Sequence, residues 1–288
     1  FDGFAGPFVP ETDVSPIWNP EFFGNTIVVN GYTWPYLEVE PRLYRLRFLN
    51  GANSRFMLLQ FDQALSFNMI GNEGGFLPDQ PLVLDQLLLA PAERADVIVD
   101  FSNFQPGDEV ILLNLGPDSP FGSLPVEAED QANPETTGQV MQFRVVELTD
   151  RGNPGEIPAE LPAIEALTTS LPPRDLTLNE VMYMPADVPA EALLGTGAQG
   201  PLEWSAEITE TPTVGDTEIW RIINLTADAH PIHLHLVHFQ VLDRTPFDLE
   251  EYAEAQQEYL EEGSQGEPPD PYDYATGAAI PAEAWEAG

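Results

Sequence analysis

The segment HPIHLH, residues 230–235, decides the interpretation of this chain. It holds three of the chain's four histidines, and the fourth, His238, follows shortly after it. In an extended strand successive side chains alternate between faces, so His233 and His235 should point the same way and His238 the opposite way. His230 precedes them across a proline, which disfavours a helix there. Because imidazole is a good ligand for copper, zinc, iron and nickel, the spacing predicts a transition-metal site at His230, His233 and His235. His238 is interpreted as a structural or surface residue.

The composition favours a β-rich chain of about two domains, each large enough for its own core. The 29 prolines and 22 glycines lie between apolar segments, which is typical of short strands joined by turns. No apolar run approaches the roughly 18 residues of a membrane span. The chain begins at Phe1 rather than at a methionine, so we expect the native N-terminus to be missing and infer nothing from the absence of a targeting segment.

The charge of the chain is extreme. Asp and Glu total 48 and the ten basic residues are all arginines, giving a formal net charge of −38. Such a field opposes binding to nucleic acid or anionic lipid. An acidic, lysine-free surface resembles proteins of salt-loving organisms, in which high ionic strength screens self-repulsion, and it predicts unfolding at low salt. The chain has no cysteine, which excludes internal disulfides and leaves the redox compartment open.

Short apolar segments bounded by turn residues predict strands along most of the chain. Residues 25–34 predict a hairpin with Asn30-Gly31 at its turn, and residues 43–50 alternate apolar and basic side chains like a half-buried strand. Further strands are predicted at residues 95–101, 109–115, 138–146, 174–184, 218–225 and 233–244.

The pattern divides the chain into two β-domains, residues 1–148 and 174–288, joined by a linker at 149–173 that is rich in Pro, Glu and Ala. Within the second domain, residues 249–261 predict an acidic helix and residues 263–288 a loop.

A weak internal repeat relates the two domains. Arg47-Phe48-Leu49-Asn50 matches Arg221-Ile222-Ile223-Asn224 as R-x-x-N at a strand end. Continued without gaps, the alignment sets His230, His233 and His235 opposite Phe56, Leu59 and Phe61. The first copy therefore has apolar residues where the second has histidines, which favours one structural and one metal-bearing domain.

The chain resembles the multicopper oxidases, and within them the laccases of the bacterial spore-coat and bilirubin-oxidase type. The segment TEIWRIINLTADAHPIHLHLVHFQVLDRTPFD, residues 217–248, is similar to their third domain. NTIVVNGYTWPYLEVEPRLYRLRFLNGANSRF, residues 25–56, and LAPAERADVIVDF, residues 89–101, are similar to their second. The resemblance implies an all-β fold of tandem cupredoxin-like Greek-key β-sandwiches, the second of them incomplete in this chain.

The resemblance also implies copper as the cofactor. In the family a type 1 copper takes electrons from the reducing substrate, and a trinuclear cluster of one type 2 and two type 3 coppers reduces O2 to water. Carried over by the motif, His230 is a type 1 ligand, His233 a type 2 ligand and His235 a type 3 ligand. Carboxylates that would orient these rings are not identified by the sequence, and Asp228 and Asp243 are interpreted as solvated acids.

This chain departs from the family pattern in three ways. It has no cysteine for a type 1 thiolate, no second pattern of the HCH form, and no first domain with two HxH pairs. We therefore expect a fragment of a longer oxidase, its partners being O2, a small reducing substrate and the flanking domains of the same polypeptide. Without the thiolate we expect no oxidase turnover from these 288 residues alone.

Other functions remain open at this point. A non-enzymatic copper-binding or structural cupredoxin-type protein is the main alternative, followed by a copper nitrite reductase and a zinc hydrolase, since His-x-His pairs also bind zinc. The reducing substrate is not specified by the sequence. The resemblance implies an exported or cell-surface location.

Overall fold

The computed structural model describes residues 21–149, 152, 155–183 and 188–286, which form two compact units. The sandwich unit comprises residues 21–166, 228–242 and 282–286. The helix unit comprises residues 167–227 and 243–281. The division into domains 1–148 and 174–288 stays a prediction.

Two β-sheets form the body of the sandwich unit. One has the strand order β4-β10-β6-β7, with β8 also paired to β6, and the other has the order β3-β12-β11-β5-β9. A separate hairpin, β1-β2, precedes them. The strands are β1 (Val28–Val29), β2 (Tyr32–Thr33), β3 (Tyr36–Val39), β4 (Leu43–Leu49), β5 (Met57–Phe61), β6 (Phe67–Asn72), β7 (Gly75–Phe76), β8 (Leu82–Leu84), β9 (Gln86–Leu89), β10 (Arg94–Asp100), β11 (Glu109–Asn114) and β12 (Gln139–Val145).

A single hydrophobic core joins the two sheets of this unit. Phe61 of β5 stacks on Phe67 of β6 with ring centroids 4.6 Å apart, and Phe143 of β12 lies 5.2 Å from Phe101, which follows β10. These rings belong to one continuous buried cluster with alternate residues of β9, β10 and β11. Two sheets that share one apolar core form a sandwich, so the all-β expectation is confirmed.

The local predictions for this unit are confirmed. Asn30 and Gly31 have φ values of 51° and 85°, the left-handed pair that a tight hairpin turn requires. The alternating segment at residues 43–50 forms β4, whose Arg45 and Arg47 face Asp96 of β10 across the sheet. The segments at 95–101, 109–115 and 138–146 form β10, β11 and β12.

The helix unit has a four-stranded sheet of order β15-β14-β13-β16, in which β13 and β16 run parallel. Its elements are β13 (Arg174–Tyr183), β14 (Val188–Thr196), β15 (Gly200–Pro201), β16 (Trp220–Asn224), β17 (Asp243–Arg244), α1 (Leu249–Glu261), a 3₁₀ turn at Pro271–Tyr274 and β18 (Ile280–Pro281), which pairs with β17. Of the buried apolar side chains that the structure describes, only Ile223 and Tyr252 belong to this unit.

Helix α1 occupies the predicted residues. It begins after Asp248, whose carboxylate accepts a hydrogen bond from the backbone N–H of Glu251 at 3.0 Å. Such an N-cap satisfies one of the free N–H groups at a helix start. None of the helices among the described residues is long and apolar enough to cross a membrane.

Two predictions in the second half of the chain are wrong. Residues 233–242 form no regular strand, and pairing begins only at β17. The first three of these positions are equivalent to residues 59–61 of the first copy, which lie in β5, a strand hydrogen-bonded to β11 on one side and to β9 on the other. A strand persists only where neighbours satisfy its backbone groups, and the described chain offers residues 233–242 no such neighbour. Residues 263–288 are likewise not all loop, since they contain β18 and 3₁₀ turns at Pro271–Tyr274 and Ala284–Glu286.

Candidate metal centre

The histidine segment lies on the sandwich unit and is held at both ends. The backbone N–H of Ala229 donates to the carbonyl of Phe121 at 2.9 Å, and the Ala229 side chain packs on the small cluster around that ring. Further along, the Gln240 amide donates to the carbonyl of Glu165 at 3.0 Å. These contacts fix where residues 230–238 run, although they are not in a sheet.

His233 and His235 are brought together by the structure. Their ring centroids are 4.9 Å apart and the rings are nearly perpendicular, at 87°. Both residues are exposed on the unit. The adjacency that the sequence predicted therefore exists, but it arises in a loop rather than in a strand.

The other two histidines are placed apart from this pair. His230 is exposed at the start of the segment. His238, also exposed, approaches the β6–β7 turn, where its Nε2 lies 3.2 Å from the position that a Cβ on Gly74 would occupy. Within the described residues no three His, Cys, Asp or Glu side chains converge on one metal position.

Glu73 and Arg94 of the sandwich unit both lie next to the Nδ1 atom of His233. The Arg94 Nη1 atom lies 3.1 Å from His233 Nδ1 and 2.8 Å from Glu73 Oε2. The same Glu73 oxygen is 3.6 Å from His233 Nδ1. All three side chains are about one-third exposed, between 32% and 35%. Neither Glu73 nor Arg94 was identified from the sequence, because no local pattern links residues 139 positions apart.

His238 departs from the strand argument as well. A regular strand would have set it opposite to His233, yet both rings approach the same β6–β7 turn, His233 at Glu73 and His238 at Gly74. The positive φ of Leu236, 69°, lies between them and breaks the two-residue alternation.

The donor chemistry of the pair fits copper in part. Two neighbouring imidazoles are ligands that copper accepts readily. A thiolate is lacking, since the chain has no cysteine, so His230 has no sulfur partner within these residues. The segment therefore supplies imidazoles toward copper but no complete set of ligands.

Comparison with known proteins places the second half of the chain in a defined group. Residues 171–267 match the family model described as multicopper oxidase. The chain is 39% identical over 253 residues to a laccase of Bacillus subtilis, covering 86% of this chain and 46% of that protein. It is also 39% identical over 239 residues to a laccase of Bacillus stratosphericus, covering 81% of this chain and 42% of that protein.

The fold comparison agrees. The crystal structure of the McoA multicopper oxidase from the hyperthermophile Aquifex aeolicus superposes with a TM-score of 0.56 at 27% identity, over 79% of this chain and 48% of that one. The chain thus spans less than half the length of these relatives.

Proposed function

Because the chain belongs to the multicopper oxidase family, we propose that it is part of a laccase-like oxidase that couples one-electron oxidation of phenolic or aromatic substrates to the reduction of O2 to water. The observation that carries this proposal is the pair of adjacent imidazoles, His233 and His235, inside the matched region. Two neighbouring rings can reach neighbouring metals of one cluster.

The residue roles follow from the motif. His230 would bind type 1 copper, His233 type 2 copper and His235 one type 3 copper. When bound, copper supplies the one-electron redox chemistry and the site at which O2 is reduced. The part of this chain is to present neutral imidazoles in fixed positions, which is why the anchoring of Ala229 and Gln240 on the sandwich unit matters.

The remaining ligands would come from other parts of a longer polypeptide. The thiolate and the other histidines of the copper sites are not among these 288 residues. We therefore propose that the chain alone does not turn over, that its partners are the flanking domains, O2 and a small reducing substrate, and that the whole protein is exported or held at the cell surface.

The test is to compare the 288-residue chain with a longer polypeptide that contains the flanking coding sequence, both loaded with copper. The longer form should show an intense visible absorption and consume O2 with a phenolic substrate, and His233→Ala and His235→Ala should reduce that rate to background. His238→Ala, in the same segment, is the matched control and should leave the rate unchanged.

Two results would contradict the proposal. Oxidation of a phenol by the 288-residue chain alone would mean that the missing ligands are not needed. Copper binding without O2 consumption by the longer form would favour the alternative, a copper-binding or structural cupredoxin-type protein.

A further inference from the structure

The turn that holds Glu73 near His233 contains a left-handed residue and is held by several hydrogen bonds to Arg94. Glu73 has a φ of 48°, a region that non-glycine residues rarely adopt. It is tied to Arg94 through both backbone and side chain: Glu73 N–H donates to the Arg94 carbonyl at 3.1 Å, and Arg94 N–H donates to Glu73 Oε1 at 3.1 Å. The Arg94 guanidinium donates also to the carbonyl of Ala92 at 2.7 Å. A strained residue persists only where its surroundings hold it, so the position of this carboxylate is fixed.

Both groups face the same nitrogen of His233, and they favour opposite protonation patterns. A neutral imidazole carries one proton, on Nδ1 or on Nε2. Arg94 can only donate, so its contact at 3.1 Å requires a lone pair on Nδ1 and places the proton on Nε2. The Glu73 carboxylate can only accept, so its oxygen at 3.6 Å favours a proton on Nδ1 after a small rotation of the ring.

These two tautomers differ in their capacity to bind a metal through Nε2. With the proton on Nδ1, the Nε2 lone pair is free to bind. With the proton on Nε2, it is not. Conversion between the forms takes one proton from solvent at Nδ1 and returns one to solvent from Nε2, so the net charge of the ring is unchanged.

We propose that Glu73 and Arg94 are positioning residues that set the tautomer of His233, Glu73 stabilising the metal-binding form and Arg94 the non-binding form. The inference rests on the role of His233 in the proposed function, but its main test needs no copper and no oxidase activity. The sandwich unit would thus contribute to the metal centre through these two side chains, as carboxylates that orient ligating histidines do in other metal sites.

The two partners of one ion pair should then have opposite effects. Glu73→Gln removes the charged acceptor at nearly constant shape, and Arg94→Met removes the donor at similar length. Either change breaks the same ion pair, so a merely structural role predicts effects of the same direction. The proposed role predicts that the ratio of Nδ1–H to Nε2–H tautomers of His233 falls about threefold or more in Glu73→Gln and rises by a similar factor in Arg94→Met.

The measurement is a two-bond ¹⁵N–¹H correlation spectrum of the metal-free chain, labelled at histidine, in alkaline buffer where imidazole is neutral. His233→Gln identifies the signal, and His230 is the internal reference that should not move. Glu109→Gln is the matched control, because Glu109 pairs with Arg144 at 3.8 Å and both side chains are exposed.

A second measurement connects the tautomer to metal binding. Zn²⁺ serves as a diamagnetic probe, and the His233 ring signals are followed during a titration. Half-saturation should need more Zn²⁺ in Glu73→Gln and less in Arg94→Met than in the unaltered chain.

The outcomes separate the two proposals. Tautomer ratios that stay constant, or that move in the same direction in both variants, overturn the inference. A Zn²⁺ concentration at half-saturation that does not change when the tautomer ratio changes overturns it as well. A longer polypeptide that consumes no O2 would overturn the proposed function and leave an observed tautomer response intact.

Discussion

At the scale of single residues, Tyr252 combines full burial with an unsatisfied hydroxyl. Its ring is 0% exposed and packs edge-on against Phe247 and Tyr274, at 5.8 and 5.5 Å between centroids. Its hydroxyl has no hydrogen-bond partner among the described residues. Burial, assisted by the nearby Asp175 carboxylate, raises the pKa of Tyr252 to about 12.

Tyr252→Phe should therefore stabilise the chain. Removing a buried hydroxyl that is unpaired relieves its desolvation cost, about 1 kcal/mol at neutral pH. The pH dependence has a definite sign. The unfolded tyrosine ionises near its ordinary pKa of about 10 while the folded one keeps its proton to about 12, so this group's contribution to stability is lost as pH rises through that window.

The free energy of unfolding of both forms, measured by urea denaturation from neutral pH to about pH 12, checks this. The alkaline decline should be shallower in Tyr252→Phe by on the order of 2 kcal/mol. Tyr32→Phe, at a side chain that is 72% exposed, is the control and should change neither quantity. A Tyr252→Phe chain that is less stable at neutral pH would show that the hydroxyl is bonded.

At the scale of elements, the internal repeat has a structural counterpart. At both strand ends the asparagine Oδ1 accepts a backbone hydrogen bond from two residues ahead, Asn50 from Ala52 at 3.0 Å and Asn224 from Thr226 at 3.1 Å. The two strands nevertheless pair differently, since β4 runs antiparallel to β10 and β16 parallel to β13. The R-x-x-N pattern therefore predicts where a strand ends but not whether the strand pairs parallel or antiparallel with its neighbour.

The arginines of the repeat also have equivalent partners. Each faces an aspartate of the neighbouring strand: Arg47 lies 3.6 Å from Asp96, and Arg221 lies 2.5 Å from Asp175. The hydrogen bonds that Arg221 donates to the Asp175 carboxylate, the largest effect, and the negative charge of that carboxylate raise the pKa of Arg221. The Arg221 guanidinium of β16 therefore stays charged.

Asn50→Ala tests how much the strand end contributes. Asn50 is 5% exposed, and its amide also donates to the carbonyls of Arg55 and Leu89 at 2.8 and 2.9 Å. Truncation leaves these buried groups unpaired, so we expect a loss of about 2–3 kcal/mol in the free energy of unfolding.

Urea denaturation would measure that loss, provided that the dependence of the unfolding free energy on urea concentration is the same in both chains. The control is Asn103→Ala, at an exposed position of the same unit, which should change stability by less than about 0.5 kcal/mol. Equal effects of the two substitutions would mean that the Asn50 hydrogen bonds contribute nothing specific.

At the scale of the whole molecule, the large negative charge is the main electrostatic feature that opposes folding. A formal net charge of −38 creates self-repulsion that opposes the compact state, and only ten arginines offset it. Ion pairs such as Arg45–Asp96 and Arg174–Glu218 use several of these arginines within the described residues. Most carboxylates therefore rely on dissolved salt for screening.

The melting temperature should accordingly rise with salt. Because the Debye length falls from about 10 Å at 0.1 M to about 3 Å at 1 M, most of the rise should occur below about 1 M. Thermal unfolding followed by circular dichroism in a KCl series measures it. A melting temperature that is flat across this range would remove the interpretation of the surface as salt-adapted.

The local elements of this protein can be predicted from its amino-acid sequence. Tight-turn chemistry at Asn30-Gly31 and alternation in β4 act between near neighbours. These elements and the acidic helix at residues 249–261 formed where they were predicted. The HPIHLH motif likewise indicated the family from six adjacent residues. Such signals are readable because their physical cause lies within a few residues of one another.

The path and surroundings of the histidines depend on tertiary contacts instead. Residues 233–242 have the composition of a strand but no neighbouring strand among the described residues, so their backbone follows a loop. Glu73 and Arg94 reach His233 from elements 139 or more positions away, a contact that depends on the packing of the sandwich unit. The unpaired hydroxyl of Tyr252 belongs to the same class, because burial without a partner is a property of the folded core and leaves no local pattern.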